Sequence, residues 1–325
     1  MADAVKVQRV KLGEYGDKSY FWNATADCLE WGVPSPRDAV RAPKGYRILA
    51  ADYSQIEVKI MAYASGDPVL IEAINSGQDV HSFNATKVFG VRYQFTYDEM
   101  ETARNDTAHP RFNELSLIRS RIKTVTFGVP YGAGPTRVAL MTGMSLEEAK
   151  EFIETFFGTF KVLKIWLDEQ GVKAIEEGYS TTPVLGRKRF YVLPSISDPE
   201  AEQQLSQIRR WAGNMPIQGS NADILKIAMR LLYLAIRGGS YTAPKQYDAR
   251  FLLVVHDEIV MLCKDEDIPA VKKIMAEAMN QAYYEYTPRV GDPRHVFLGG
   301  SRDKVTGQVV DKGIHVVEAD IWAKA

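Results

Sequence analysis

The sequence predicts an α+β fold, an antiparallel sheet carried with a larger set of helices. Three observations predict it. Phe251 to Val255 and Ile259 to Cys263 are apolar runs on either side of His256-Asp257-Glu258, which is the pattern of a β-hairpin. Arg47-Ile48-Leu49-Ala50-Ala51-Asp52 is a third apolar run that ends on an acid, as a buried strand does. Most of the chain between these runs shows helical spacing of its apolar residues.

Taken in order, residues 1–46 carry scattered aromatics (Tyr20, Phe21, Trp22, Trp31) and prolines (Pro34, Pro36, Pro43) and receive no assigned element. The strand ending at Asp52 leads into a helix with Ile56, Ile60 and Met61 on one face. Asp67-Pro68 supplies an N-cap and a first-turn proline for a second helix that stops near Gly77. Residues 89–117 are polar with little apolar periodicity, and we expect an exposed excursion there. A helix from about residue 114 to 127 follows. Ser145-Leu146-Glu147-Glu148 is a capping box opening another. Further helices are expected at 161–177, 199–213, 217–237 and 267–285, and the tail from Thr287, rich in glycine and charge, receives none.

Bulk properties bound the reading. A chain of 325 residues, 46% hydrophobic, can bury a large core in one or two domains. Its formal net charge of -1 offers phosphates no global attraction, so any affinity for nucleic acid must come from local clusters. Such clusters exist at Arg119, Arg121 and Lys123, at Arg187, Lys188 and Arg189, and at Arg209 and Arg210, interleaved with aromatics. Two cysteines, Cys28 and Cys263, argue against a disulfide framework and for a reducing compartment. No apolar run approaches the roughly 20 residues of a membrane helix, so a cytoplasmic, soluble chain without membrane partners is expected.

Three segments carry the chemistry. Asp52-Tyr53-Ser54-Gln55-Ile56-Glu57 and Val255-His256-Asp257-Glu258 each place an acid at a strand end. Two bare carboxylates about 4 Å apart at an effective dielectric of 20 repel by about 4 kcal/mol, so a pair of this kind is unfavourable until cations fill it. Between them, Arg119, Lys123 and Phe127 are spaced by four and drift only about 40° per step, so they share one helix face. A forked guanidinium followed by a compact ammonium suits a polyphosphate. Singly, each acid is explained as a turn cap and the stripe as an ordinary amphipathic helix; their combination favours a nucleotide site.

In this order the segments resemble motifs A, B and C of the family A DNA polymerases, the bacterial DNA polymerase I type, over about residues 37–279. The resemblance implies a polymerase palm of antiparallel sheet and helices plus helical fingers, with thumb and exonuclease domains absent. It divides the chain into an N-terminal segment (1–46), palm (47–80), fingers (81–185, with the nucleotide-binding helix at 114–132), palm again (186–286) and a tail (287–325). It implies transfer of dNTPs to a primer-template DNA with two Mg2+ ions, Mn2+ being a possible substitute, held by Asp52, Asp257 and the main-chain carbonyl of Tyr53. Lys123 then also donates a proton to the departing pyrophosphate. Arg119, Lys123, His81 and Gln55 contact the nucleotide, Phe127 stacks on its sugar and base, and Tyr131 closes the pocket beside the templating base. Glu57 is the steric gate against a ribose 2′-hydroxyl, and phenylalanine at 127 implies discrimination against dideoxynucleotides. Arg187, Arg210, Asn214 and Gln218 hold the duplex, with His256 at the primer terminus.

Several residues depart from the family pattern. Thr126 stands where asparagine is usual, Lys59 where arginine is, Val254 where glutamine is often seen, and Pro130, if inside the helix, clashes with the carbonyl of Thr126 and re-aims Tyr131. With only 51 residues ahead of Asp52, we expect a second polypeptide carrying thumb and exonuclease, as in a split polymerase of phage type. A catalytically silent nucleic-acid-binding subunit and an RNA-synthesising relative are the alternatives; the intact acids disfavour the first and Glu57 the second.

Overall fold

The computed structural model describes residues 9–15, 18–23, 28–32, 36–288, 291–302, 309–311 and 313–322. An antiparallel meander comes first, β1 (Arg9–Tyr15), β2 (Lys18–Asn23) and β3 (Cys28–Gly32), within the stretch to which the sequence assigned nothing. β4 (Tyr46–Asp52) follows, then α1 (Ile56–Ser65), α2 (Pro68–Asn75), α3 (Val80–Tyr93), α4 (Tyr97–Asn105), α5 (Phe112–Gly128), α6 (Pro135–Thr142), α7 (Leu146–Thr159) and α8 (Lys161–Glu177). A short hairpin of β5 (Tyr179–Thr181) and β6 (Lys188–Phe190) leads to α9 (Ala201–Ile236), and the second hairpin, β7 (Ala249–Val255) and β8 (Glu258–Lys264), to α10 (Ile268–Tyr286). β9 (Gly300–Arg302), β10 (Val309–Asp311) and β11 (Val316–Ala319) end the described chain.

The main sheet is antiparallel with strand order β11-β4-β8-β7. Alternation along β4 divides its side chains between two cores. Leu49 and Ala51 join the principal core with Met275, Met279 and Tyr283 of α10, while Ile48 and Ala50 pack with Val260 and Leu262 under Val40 and Trp322 on the other face. A strand covered on both faces reads as one continuous apolar run, which is why β4 and β8 were legible without alternation. α9 contributes Ile217, Ile224, Ala228 and Leu232 to the principal core.

Most predicted helices appear within a residue or two of their expected ends. Asp67 accepts from the backbone of Val69 and Leu70 at 3.1 Å each, and Ser145 and Glu148 form the reciprocal capping box. Four expectations need correction. Residues 89–117 are not an exposed excursion: Thr96 caps α4, whose Met100 and Ala103 are buried one turn apart, and Leu115 of α5 is fully buried. The two helices expected at 199–213 and 217–237 are one helix of 36 residues. Pro216 withholds its bond from Ala212, but both α8 and α10 pack against α9 and hold it as one helix. Pro130 lies beyond the helix, because α5 ends at Gly128 and Val129 caps it; no interior clash arises, and Tyr131 belongs to the following turn rather than to the helix face. The tail, finally, is part of the body: β11 pairs along β4, and Val296, Leu298, Ile314 and Val316 are buried in the principal core.

If the tail is structural, truncating its core side chain weakens the whole fold. Leu298→Ala is expected to cost about 2–5 kcal/mol in a urea melt, and a loss under 1 kcal/mol would place the tail outside the cooperative unit.

Candidate nucleotide-transfer site

The site is set by strand register. Asp52 of β4 lies opposite Glu258 of β8, and Val255 of β7 also pairs with Glu258, so His256 and Asp257 form a two-residue turn against the end of β4. The backbone of Tyr53 donates to the Asp257 carbonyl at 3.3 Å. His256 holds a left-handed φ of 57°, a conformation that costs a non-glycine residue about 1–3 kcal/mol and marks a constrained turn. The carboxyls of Asp52 and Asp257 meet within hydrogen-bonding reach. Burial pushes the Asp257 carboxyl up and the charge of Glu57 adds to this, while hydrogen bonds from its own backbone and from Asp52 pull the other way. Glu258, by contrast, is neutralised: Arg37 donates to both of its oxygens at 3.3 and 2.9 Å, and Trp322 Nε1 donates at 3.1 Å beneath the stacked Arg37 guanidinium.

The loop after Asp52 is clamped at three points. The buried ring of Tyr53 sends its hydroxyl to the Met279 carbonyl at 2.8 Å, and burial raises the proton affinity of that phenol. Its own carbonyl accepts from Ile56 at 3.0 Å, which leaves a second lone pair. Gln55 adopts φ 54° at the start of α1, and the buried Lys59 donates to the carbonyls of Ser54 at 2.5 Å and Leu298 at 2.6 Å. Lys59 thus ties the tail to the loop that bears Asp52.

A cavity of about 580 Å3 reaches from Asp52, Ser54 and Gln55 to Gln78 and Asp79, and α5 meets its Asp79 end through Arg119. Arg119 makes a forked pair with Asp79, the N-cap of α3, at 2.8 and 2.9 Å. Burial pushes the Asp79 carboxyl up, but the hydrogen bonds from Arg119 and the Ser82 backbone outweigh this and hold it below the usual range. His81 is buried, and desolvation lowers its pKa to about 4, with Arg119 and Lys123 adding to the fall. It is therefore a neutral imidazole at pH 7. Lys123 is exposed and forms no ion pair among the described residues. The side chain of Phe127 lies outside the described residues, although its backbone sits in α5. The Tyr131 hydroxyl donates to the Glu57 carboxylate, and burial, with that carboxylate adding to it, raises its proton affinity.

The residues expected at the duplex divide. Gln218 and His256 share a groove of about 680 Å3 with Glu57 and Asp257, and Asn214 and Arg210 share a neighbouring cavity with Tyr131. Arg210 packs its stem on Gly132, whose φ of 83° and contact distance leave no room for a Cβ. Arg187, its side chain 42% exposed, pairs with the fully buried Asp223 at 2.5 Å and donates to the Gly219 carbonyl at 2.9 Å. Sequence reasoning missed Asp79, Lys59 and the Arg37–Glu258–Trp322 cluster as parts of the site. Asp79 was visible only as a helix cap, 40 residues from the arginine that it holds.

Among the described residues no group of three or more His, Cys, Asp or Glu side chains forms a metal cage, and none of the helices is long and apolar enough to cross a membrane. Two carboxylates and a carbonyl fit magnesium, which takes one or two carboxylates and completes its shell with water and substrate phosphates. The paired acids thus end a sheet, and the Arg119–Asp79 pair stands at the far end of the cavity that Asp52 lines. The family model for DNA polymerase family A matches residues 32–290, and the chain belongs to that family. It is 33% identical over 251 residues to the thermostable DNA polymerase I of Thermus aquaticus, covering 76% of this chain and 26% of the relative. With DNA polymerase I of Streptococcus pneumoniae (strain ATCC BAA-255 / R6) it shares 36% over 260 residues, 80% of this chain and 26% of the relative. A solved structure of the POL domain of Pol1 from M. smegmatis in complex with DNA primer-template and dNTP superposes with a TM-score of 0.66 at 29% identity, over 94% of this chain and 47% of that one. The chain spans about a quarter of the length of the curated relatives.

Because His81 binds its proton less tightly folded than unfolded, the unfolded chain takes up more protons between the ordinary histidine pKa and about 4. Its contribution to stability is complete above that window and falls as pH drops through it. His81→Gln should flatten the decline in melting temperature between pH 6.5 and 4, as measured by differential scanning calorimetry; an unaltered slope would show that His81 is not the buried neutral group.

Proposed function

We propose that this chain catalyses template-directed transfer of deoxynucleotides to a primer 3′-hydroxyl with release of pyrophosphate. The observation that carries the proposal is the pairing of β4 and β7 with β8, which brings the turn bearing Asp257 against the end of β4 beside Asp52, while the Arg119–Asp79 pair stands at the other end of the adjoining cavity. Two magnesium ions, or manganese in their place, held by Asp52, Asp257 and the Tyr53 carbonyl, supply charge neutralisation at the attacking and leaving oxygens.

The remaining roles belong to side chains. Arg119 is held by Asp79 in the nucleotide-free chain and exchanges that carboxylate for phosphate oxygens, to which its fork is equally suited. Lys123, exposed, reaches the phosphates as a point charge and serves as proton donor to the leaving group. His81, being neutral, offers a hydrogen bond rather than a charge. Gln55 contacts the nucleotide from the motif A loop, and Phe127 stacks on its sugar. Glu57, pinned by Tyr131, occupies the gate against a 2′-hydroxyl. Arg210, Asn214, Gln218 and His256 line the path of the duplex, and Arg187 supports it through Asp223 and Gly219. On this reading palm comprises residues 47–80 and 186–286, and fingers 81–185. The near-zero net charge gives weak long-range attraction to DNA, so a second polypeptide carrying thumb and exonuclease fits as the source of tight, processive binding.

The purified chain is expected to extend a primed template with magnesium and dNTPs, and Asp257→Ala to reduce extension to background. Binding of primed DNA without any extension would instead favour a silent nucleic-acid-binding subunit. Glu57→Ala should raise the ratio of ribonucleotide to deoxynucleotide insertion by at least about tenfold, the scale that a lost shape contact allows. An unchanged ratio in a single-turnover assay removes Glu57 from the gate.

A further inference from the structure

α9 carries three amide side chains in a row beside the paired acids. Asn214, Gln218 and Asn221 follow one another at steps of four and three, so they share one face of the helix. From the first to the last the helix rises about 10.5 Å. That span matches about three base-pair steps of about 3.4 Å along one DNA strand. Asn221 lines the groove with Gln218, Glu57, His256 and Asp257, the end of the row nearest the acids.

The chain leaves the two asparagines unfulfilled. The Oδ1 atoms of Asn214 and Asn221 are both buried and accept no hydrogen bond. A buried polar atom without a partner calls for an explanation, and its desolvation is a standing cost to the fold. A ligand seated in the groove offers a partner once the amide turns to bring its buried edge outward. A half-turn of either amide exchanges acceptor for donor, so the same side chain can meet either kind of group. The minor-groove edge of every correct base pair presents purine N3 and pyrimidine O2 as acceptors at nearly fixed positions, with the guanine amino group as the one donor.

We propose that Asn221 is a specificity-determining residue, a third minor-groove probe that reports base-pair geometry beside the primer terminus. The inference rests on the polymerase reading above. A correctly paired primer end satisfies the amide; a displaced mismatched pair leaves it buried and unpaired, and extension slows.

The test is single-turnover extension by the whole chain and by Asn221→Ala, on primers in which one 3-deazapurine replaces a purine at the last, second-last or third-last position. The wild-type chain should lose about three- to tenfold in rate at one of these positions, the scale of one hydrogen bond. Asn221→Ala should show no further loss at that position, retain the losses at the others, and extend matched over mismatched termini with a ratio lowered by a similar factor. Asn221→Leu, which keeps the volume and removes the amide, replaces alanine if that variant unfolds. Equal sensitivity of wild type and variant at all three positions overturns the role of Asn221, as does a wild-type chain indifferent to every deazapurine. Failure of the wild-type chain to extend any primer overturns the polymerase reading itself.

Discussion

Two carboxylates forced together at the end of a strand pair are the constraint around which the rest of the molecule is arranged. Their crowding, with burial and the charge of Glu57 pushing the Asp257 carboxyl up, is borne by the fold whenever no cation is bound. The sheet can bear it because its register cannot slip. β4 and β8 are buried on both faces, so a one-residue shift would exchange every side chain between the two cores and move Asp52 away from the turn. Glu258, beside the pair, adds no net charge because Arg37 makes a forked ion pair with it and Trp322 donates to it. The negative charge left beside the pair is that of Glu57.

The cationic side follows a complementary logic. Arg119 and Asp79 are part-buried and doubly bonded, and the guanidinium fork that holds this carboxylate is equally suited to phosphate oxygens. The pair keeps the guanidinium ordered at the Asp79 end of the cavity. Asp79 caps α3 through Ser82 as well, so the clamp and the helix bearing His81 are positioned by one residue.

How much was legible in the sequence follows from the range of each interaction. Local signals were read well: the Asp67 cap, the Ser145 capping box, the turn at His256-Asp257 and the apolar runs of β4, β7 and β8 all depend on neighbours within a few residues. The failures have a different origin. α4 looked like an excursion because its buried face is only Met100 and Ala103, too few apolar residues to register as a period. α9 looked like two helices because Pro216 is a strong local breaker that tertiary packing overrides. For the site, the acids, the α5 stripe and Glu57 could be named from residue types and order. Asp79 with Arg119, Lys59 with Leu298 and Arg37 with Glu258 could not, since each joins residues 40 or more apart and nothing local marks the partner.

Those long-range ties explain why the tail belongs to the site and not only to the fold. β11 extends the sheet on the flank of β4, and the segment before it places the Leu298 carbonyl where the buried ammonium of Lys59 needs a second acceptor. A buried ammonium needs acceptors for its donors, and Lys59 finds two of them in the Ser54 and Leu298 carbonyls. The same ammonium holds the Ser54 carbonyl one residue from the Tyr53 carbonyl and two from Asp52. Withdrawing the Leu298 carbonyl therefore does more than open a gap in the core: it removes one acceptor from the buried amine that also holds the loop carrying the acid. The geometry of the carboxylate pair depends, through one lysine, on a segment beyond residue 290, outside the region matched by the family model.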